Sequence, residues 1–192
     1  MLKDLVAKNR SYRGYDESVA LTREQLVDIV DTARLTPFSQ NFQSFKYYLS
    51  WEAEQNAKIQ PLTGWARWLQ PIQLPREGKC PTGFIVICYD KNIGPGPARF
   101  SKDVGIVAQT MLLRAVEMDL GGIMIGNFSP EKISTALELP ENLVPQLILA
   151  IGKPDEEIVL TEVGEDGEIN YYRDKNDVHY VPKRKLEDLL VN

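Results

Sequence analysis

Apolar residues recur at Leu26, Ile29, Val30 and Ala33, the spacing of a helix with one buried face. Just upstream, Thr22-Arg23-Glu24-Gln25 forms a capping box, in which a hydroxyl and an amide satisfy free backbone donors reciprocally, and Pro37 stops the helix. The aromatic-rich run from Phe45 to Trp51 reads as a strand. Phe84 to Tyr89 is apolar at every position, which predicts a central strand covered on both faces. Gly94-Pro95-Gly96-Pro97 is a turn that leads into a long helix from about Ser101 to Asp119. That helix is apolar around much of its circumference (Val104, Ile106, Val107, Met111, Leu112, Leu113, Val116), so it belongs at the centre of a domain or in a subunit interface. Leu120-Gly121-Gly122 ends it, and Ile123-Met124-Ile125 begins a short strand. Ser129-Pro130-Glu131 opens another helix, with serine as N-cap and proline at the first helical position. Leu147 to Ile151 reads as a strand that stops at Gly152.

Two stretches lack a clear period. Between Glu52 and Gly78, Pro61, Pro71 and Pro75 surround Trp65 and Trp68, which predicts short helix and loop. Residues 155–177 hold nine acidic and two basic side chains and read as a solvated surface, with Glu165-Asp166-Gly167-Glu168 as a hairpin turn. There is no repeat, low-complexity tract or linker, so residues 1–192 are expected to form a single domain. The mixed order of helices and strands predicts an α+β fold, a sheet covered by helices.

Composition narrows the chemistry. The chain carries a formal net charge of −5, with 43% hydrophobic and 26% charged residues. These values suit a soluble globular protein and argue against nucleic-acid binding, since the basic clusters are short. No stretch approaches the roughly 18 apolar residues of a membrane span, and the charged N-terminus is unlike a signal peptide. A cytoplasmic location is the expectation. Cys88 falls in the central strand as a reduced core thiol, and Cys80, before Pro81, lies in a loop with no base to activate it. The chain has one histidine, His179, which together with two cysteines excludes the common zinc cages.

Four groups of residues suggest a bound ligand. Ser11 and Arg13 point the same way on an extended segment, and with Arg10 they offer guanidinium forks for phosphate oxygens. Ser39, Asn41 and Gln43 alternate after Pro37, which places three polar side chains on one side of an extended loop. Gly121-Gly122 and Gly126-Asn127 flank a short strand, where glycine lets backbone approach a flat ligand, although a helix C-cap already accounts for Gly121. Lys183-Arg184-Lys185 precedes a short helix at Leu186–Leu190, where cations oppose the helix dipole unless an anion is bound. Phe38, Phe42, Trp65 and Trp68 either wall a pocket or serve as core, with core the reading for at least two.

Taken in order, these segments resemble the FMN-dependent nitroreductase family. The resemblance runs from Arg10-Ser11-Tyr12-Arg13 through Pro37 to Phe45, Cys80-Pro81, Asp103 to Gln109 and Leu120 to Phe128. It ends at Ala150 to Pro154 and Pro182 to Lys185, and so covers nearly the whole chain. It implies a central mixed, mainly antiparallel sheet flanked by helices, and a homodimer with FMN in clefts at the interface. The long central helix would pack across the dimer. By position, Arg10, Ser11 and Arg13 would hold the FMN phosphate and ribityl chain, with Lys183 and Lys185. Pro37, Ser39, Asn41 and Gln43 would meet the ring and ribityl hydroxyls, and the backbone of Ile125, Gly126 and Asn127 the reactive flavin nitrogen. The implied activity passes hydride from NADH or NADPH to FMN and on to a nitroaromatic, quinone or similar small-molecule acceptor, with no catalytic side chain. Flavin reduction, dehalogenation, or a non-enzymatic FMN-binding or regulatory role are the alternatives. This chain departs from the family at Asn9, where a basic residue is common, and at Phe38, where serine is.

Overall fold

The computed structural model describes residues 1–66, 69 and 72–192. Its helices are α1 (Leu2–Lys8), α2 (Arg23–Arg34), α3 (Ala53–Ile59), α4 (Ser101–Glu117) and α5 (Pro130–Ala136). A five-stranded sheet is built from β1 (Tyr15–Asp16), β2 (Phe45–Ser50), β3 (Gly83–Asp90), β4 (Gly121–Ile125) and β5 (Leu143–Pro154). Its order is β1-β5-β3-β2, with β4 also paired to β5, and every one of these pairings is antiparallel. A second, three-stranded sheet holds β6 (Ile158–Glu162), β7 (Tyr172–Arg173) and β8 (His179–Lys183), in the order β6-β8-β7. There β6 and β8 run parallel. The α+β architecture and the mainly antiparallel character are as the sequence predicts.

Strand alternation explains why the main sheet needs helices on both sides. Ile85, Ile87 and Tyr89 of β3 face a core that holds Leu26, Ile29 and Ala33 of α2 and Val107, Met111 and Leu112 of α4. Phe84, Val86 and Cys88 face the opposite way, toward Ile59 of α3 and Ile133 of α5. All eight residues of β3 are buried. The capping box of α2 is present: Gln25 N donates to Thr22 Oγ1 (3.3 Å) and Thr22 N to Gln25 Oε1 (2.9 Å). Ser129 caps α5 with Pro130 following, as read from the sequence. Phe38 and Phe42 both pack on Phe100, with ring centroids 5.6 and 5.5 Å away, so they are core. Trp65 packs against the α3–α5 core, and Trp68 lies outside the described residues.

Three local expectations are corrected. β5 does not stop at Gly152 but runs on to Pro154, because β1 pairs with Lys153 and Pro154. The turn around Asp166 is real, with Gly167 N donating to Gly164 O (3.1 Å), but it joins no hairpin, since β6 pairs with β8 and not with β7. The helix after Lys185 is only a 3-10 turn, Glu187–Leu189.

Helix α4 buries Val107, Ala108, Met111, Leu112 and Ala115, while Ile106 on its outer side is 44% exposed. Beside it, α1 has no buried residue and leaves Leu2 and Val6 exposed. Among the described residues no helix is long and apolar enough to cross a membrane.

Candidate functional site

The N-terminal segment is fastened to β4 where Ser11 bridges Gly122, and Tyr12 N donates to Gly122 O (3.3 Å). The Tyr12 ring packs against Gly121, where an added Cβ would fall 2.5 Å from it. Close approach, not a helix cap, therefore requires this glycine: the cap of α4 is Met118. Next to this junction, the small C-terminal sheet folds over the same edge. Between them is a cavity of about 220 Å³, lined by Arg10, Ser11, Arg13, Tyr171, His179 and Lys183 among others. Lys185, two residues beyond β8, is exposed and does not line it.

The cavity is cationic and under-satisfied. Arg13 is buried, donates from Nη1 to Ser11 O (3.0 Å), and holds its guanidinium 4.9 Å over the Tyr171 ring. Arg10 Nη2 donates to Val6 O (2.7 Å). Burial pushes both guanidinium pKa values down from the ordinary arginine value, without removing their charge at neutral pH. Glu156 accepts from Arg13 N and pairs with Arg173, both side chains being 5% exposed. The expectation of a wholly solvated acidic stretch is corrected here. Among the described residues, seven buried side-chain N or O atoms lack a hydrogen-bond partner, and five belong to this cluster: Nε of Arg10, Arg13 and Arg173, and both ring nitrogens of His179. Buried donors are nearly always satisfied, so this concentration marks a place that wants an acceptor.

At the other end of β4, about 14 Å away at roughly 3.4 Å per residue, the chain turns through Ile125, Gly126 and Asn127. Gly126 faces open space, with no atom within 4 Å of where a Cβ would lie. The 52–66 segment packs on this turn: Thr63 bridges Phe128, and Gly64 N donates to Asn127 O (2.8 Å). Thr63 and Trp65 also line a larger cavity of about 1080 Å³, together with Trp51, Asn56, Arg76 and Phe84.

The Pro37–Gln43 loop is elsewhere. It is not extended, as the alternation of Ser39, Asn41 and Gln43 suggests, but makes a 3-10 turn at Ser39–Asn41 with positive φ at Gln40 (50°), Asn41 (56°) and Gln43 (50°). The cause is Asp103, buried in the first turn of α4, which accepts from both Ser39 N and Ser39 Oγ at 2.7 Å. Gln43 Nε2 donates to Asn41 Oδ1 (3.0 Å), and Asn41, Gln43 and Pro37 are exposed. Asp103→Ala is expected to cost about 1–3 kcal/mol by leaving the Ser39 N–H unsatisfied, and to make the loop sensitive to protease; denaturant melts and limited proteolysis check this. The loop sits at the N-terminal end of α4, whereas Ser11 and Gly122 lie past its C-terminal end, about 25 Å away at 1.5 Å per residue. Across the sheet, β3 and β5 separate β2 from β4 by about 14 Å. The two groups of candidate residues therefore do not meet within one chain.

A family model described as the nitroreductase family matches residues 6–153. The chain belongs to the nitroreductase family. A Cr(VI) reductase from Pseudomonas sp. strain G-1 is 28% identical over 167 residues, covering 80% of this chain and 67% of the relative. Among solved structures, a nitroreductase family protein from Clostridium difficile 630 superposes with a TM-score of 0.64 at 24% identity, over 98% of this chain and 95% of that one. A protein from Exiguobacterium sibiricum, described as a nitroreductase and solved in complex with FMN, gives a TM-score of 0.66 at 21% identity over 81% and 89%. By family this chain is an oxidoreductase.

Neither thiol of the chain is poised as a nucleophile. Burial pushes Cys88 up to about 12, and burial with a hydrogen bond to Glu17 pushes Cys80 up to about 11. His179 is the residue that sequence reasoning missed, although His179, Val181 and Lys183 alternate at strand period and all three line the small cavity. Burial, then the charges of Arg13 and Arg173, lowers its pKa to about 4. A histidine held below its unfolded value contributes stability above about pH 6.5 that is lost as pH falls toward 4. The ligand-free protein is therefore expected to lose stability over that window, and His179→Gln to lose less; urea melts at pH 7 and pH 4.5 make the comparison.

Proposed function

We propose that this protein is an FMN-dependent oxidoreductase that takes hydride from NADH or NADPH and delivers it to a nitroaromatic, quinone or similar acceptor, acting as a homodimer. The observation that carries the reading is the cluster of orphaned buried donors at the foot of β4. A phosphate would supply acceptor oxygens to the donors that line this cavity, with Arg10, Ser11, Arg13 and Lys183 as its holders. At the other end of β4 the open turn at Gly126 would receive the flat ring, since no atom lies where a Cβ would be and the backbone of Ile125, Gly126 and Asn127 would face it. The residues present fit the group.

When bound, FMN supplies the redox chemistry, accepting a hydride from the nicotinamide and passing it on. The protein positions, screens and polarises. Arg10, Arg13 and Lys183 neutralise the phosphate and fix the register. Segment 52–66, locked on the Asn127 turn, walls the ring's neighbourhood and the large cavity beside it. The rest of the pocket comes from a second copy. The exposed apolar sides of α1 and α4 offer the surface for pairing, and pairing would bring Pro37, Ser39, Asn41 and Gln43 of the partner subunit to the ring.

Initial-rate kinetics of the FMN-loaded protein, with menadione and nitrofurazone as acceptors under anaerobic conditions, test the activity. The reading predicts oxidation of NADH or NADPH that depends on acceptor, with parallel double-reciprocal plots, since one substrate must leave before the next enters. Loaded protein that oxidises neither nicotinamide with either acceptor would contradict it and favour a flavin-binding role.

A further inference from the structure

His179 is 1% exposed, yet neither ring nitrogen has a hydrogen-bond partner among the described residues. A buried polar group without a partner is costly, and the ring has not been left there by loose packing. It stands edge-on to Tyr171, with centroids 5.4 Å apart at 65°, and its backbone pairs across to Arg173 in the β7–β8 register. Strand parity sends its side chain into the same cavity as Val181 and Lys183.

The charges around it define what it can meet. Arg10 and Arg13 come from the N-terminal segment, Lys183 from its own strand, and Tyr171 and Arg173 from the segment paired with it. Asp177, from the turn before β8, is engaged by Arg173 and by Arg76, and Glu156 is engaged by Arg173 and the Arg13 amide. The cations facing the ring outnumber the free anions. Without a ligand, the ring therefore stays neutral, its pKa held down by burial and by Arg13 and Arg173. An anion entering the cavity reverses the local field and offers oxygen acceptors to both a ring N–H and the arginines.

We propose that His179 is a ligand of the anion in this cavity: its ring donates a hydrogen bond to the phosphate beside Arg10, Arg13 and Lys183, and takes up a proton from solvent as the anion enters. This rests on the cofactor reading for the identity of the anion, but not for its existence. Because the liganded state holds more protons, phosphate affinity rises as pH falls. A ring that merely packs against Tyr171 would show no such coupling.

His179 is the single histidine of the chain, so its ring resonance needs no assignment. The test is an NMR pH titration of that resonance in the flavin-free, full-length protein, alone and with FMN, riboflavin or inorganic phosphate. The expected result is a midpoint near 4 that rises by about one unit or more with FMN or inorganic phosphate and stays put with riboflavin, which lacks the phosphate. In parallel, His179→Phe, which keeps the ring contact with Tyr171, should weaken FMN about tenfold and leave riboflavin unchanged. His179→Gln, which keeps a donor, should bind FMN better than the phenylalanine variant and with less pH dependence. FMN bound with an unmoved midpoint, or bound equally by wild type and His179→Phe, overturns the proposal. If FMN fails to bind but inorganic phosphate moves the midpoint, the cofactor reading falls and His179's role stands. If FMN fails to bind and nothing moves the midpoint, both fall.

Discussion

Arg13→Ala is expected to purify without flavin and to bind added FMN at least about a hundredfold more weakly than wild type. Arg13 is the most confined cation of the cavity, fixed by Ser11 O on one side and the Tyr171 ring on the other, with Nε still free. A hydrogen bond to a charged group contributes about 1.5–3 kcal/mol, and a guanidinium fork makes two. Arg13→Lys keeps the charge but loses the fork and the stacking, so it should fall between wild type and alanine. Riboflavin affinity should hardly change in either variant, which separates phosphate binding from general damage. Fluorescence titrations with both flavins measure this. Unchanged FMN affinity in Arg13→Ala would remove Arg13 from the site.

Arg173→Leu is expected to destabilise the protein by about 3–5 kcal/mol, because it strips the buried Glu156 carboxylate of its ion-pair partner. The pair is what pins the small sheet over the N-terminal segment: Glu156 accepts from the Arg13 amide while Arg173 reaches it from β7. Removing both charges together, in Glu156→Gln with Arg173→Leu, should recover part of the loss, since the cost lies in the unpaired carboxylate more than in the missing contact. The single variant should also bind FMN less well, as the cavity's outer wall loosens. Denaturant melts of the two variants decide: equal stability for single and double would show that the pair is not what holds this sheet.

Features that depend on a few adjacent residues were legible in the sequence. The Thr22–Gln25 box, the Ser129-Pro130 cap and the unbroken apolar run of β3 each carry their own cause within a short window. What was not legible depends on distant residues. Ser39, Asn41 and Gln43 alternate as an extended segment would, but Asp103, 64 positions on, draws Ser39 into a turn. Glu156 reads as one more surface carboxylate until β6 and β8 pair in parallel, an arrangement with no short turn to announce it, and bring Arg173 against it. The basic cluster at 183–185 divides in the same way: strand parity puts the exposed Lys183 at the cavity's lining, while Lys185 lies past the end of β8. The same parity would have pointed to His179, had the H-x-V-x-K alternation been read as one face.

In the proposed function each chain would supply a phosphate clamp for a redox-active FMN completed by a second copy. Its most direct test is an anaerobic visible-absorption titration of the FMN-reconstituted protein with NADH and then NADPH, with flavin counted per chain. The account predicts one FMN per chain in a dimeric species and flavin bands that bleach with at least one nicotinamide. A protein that stays colourless after incubation with FMN would contradict it.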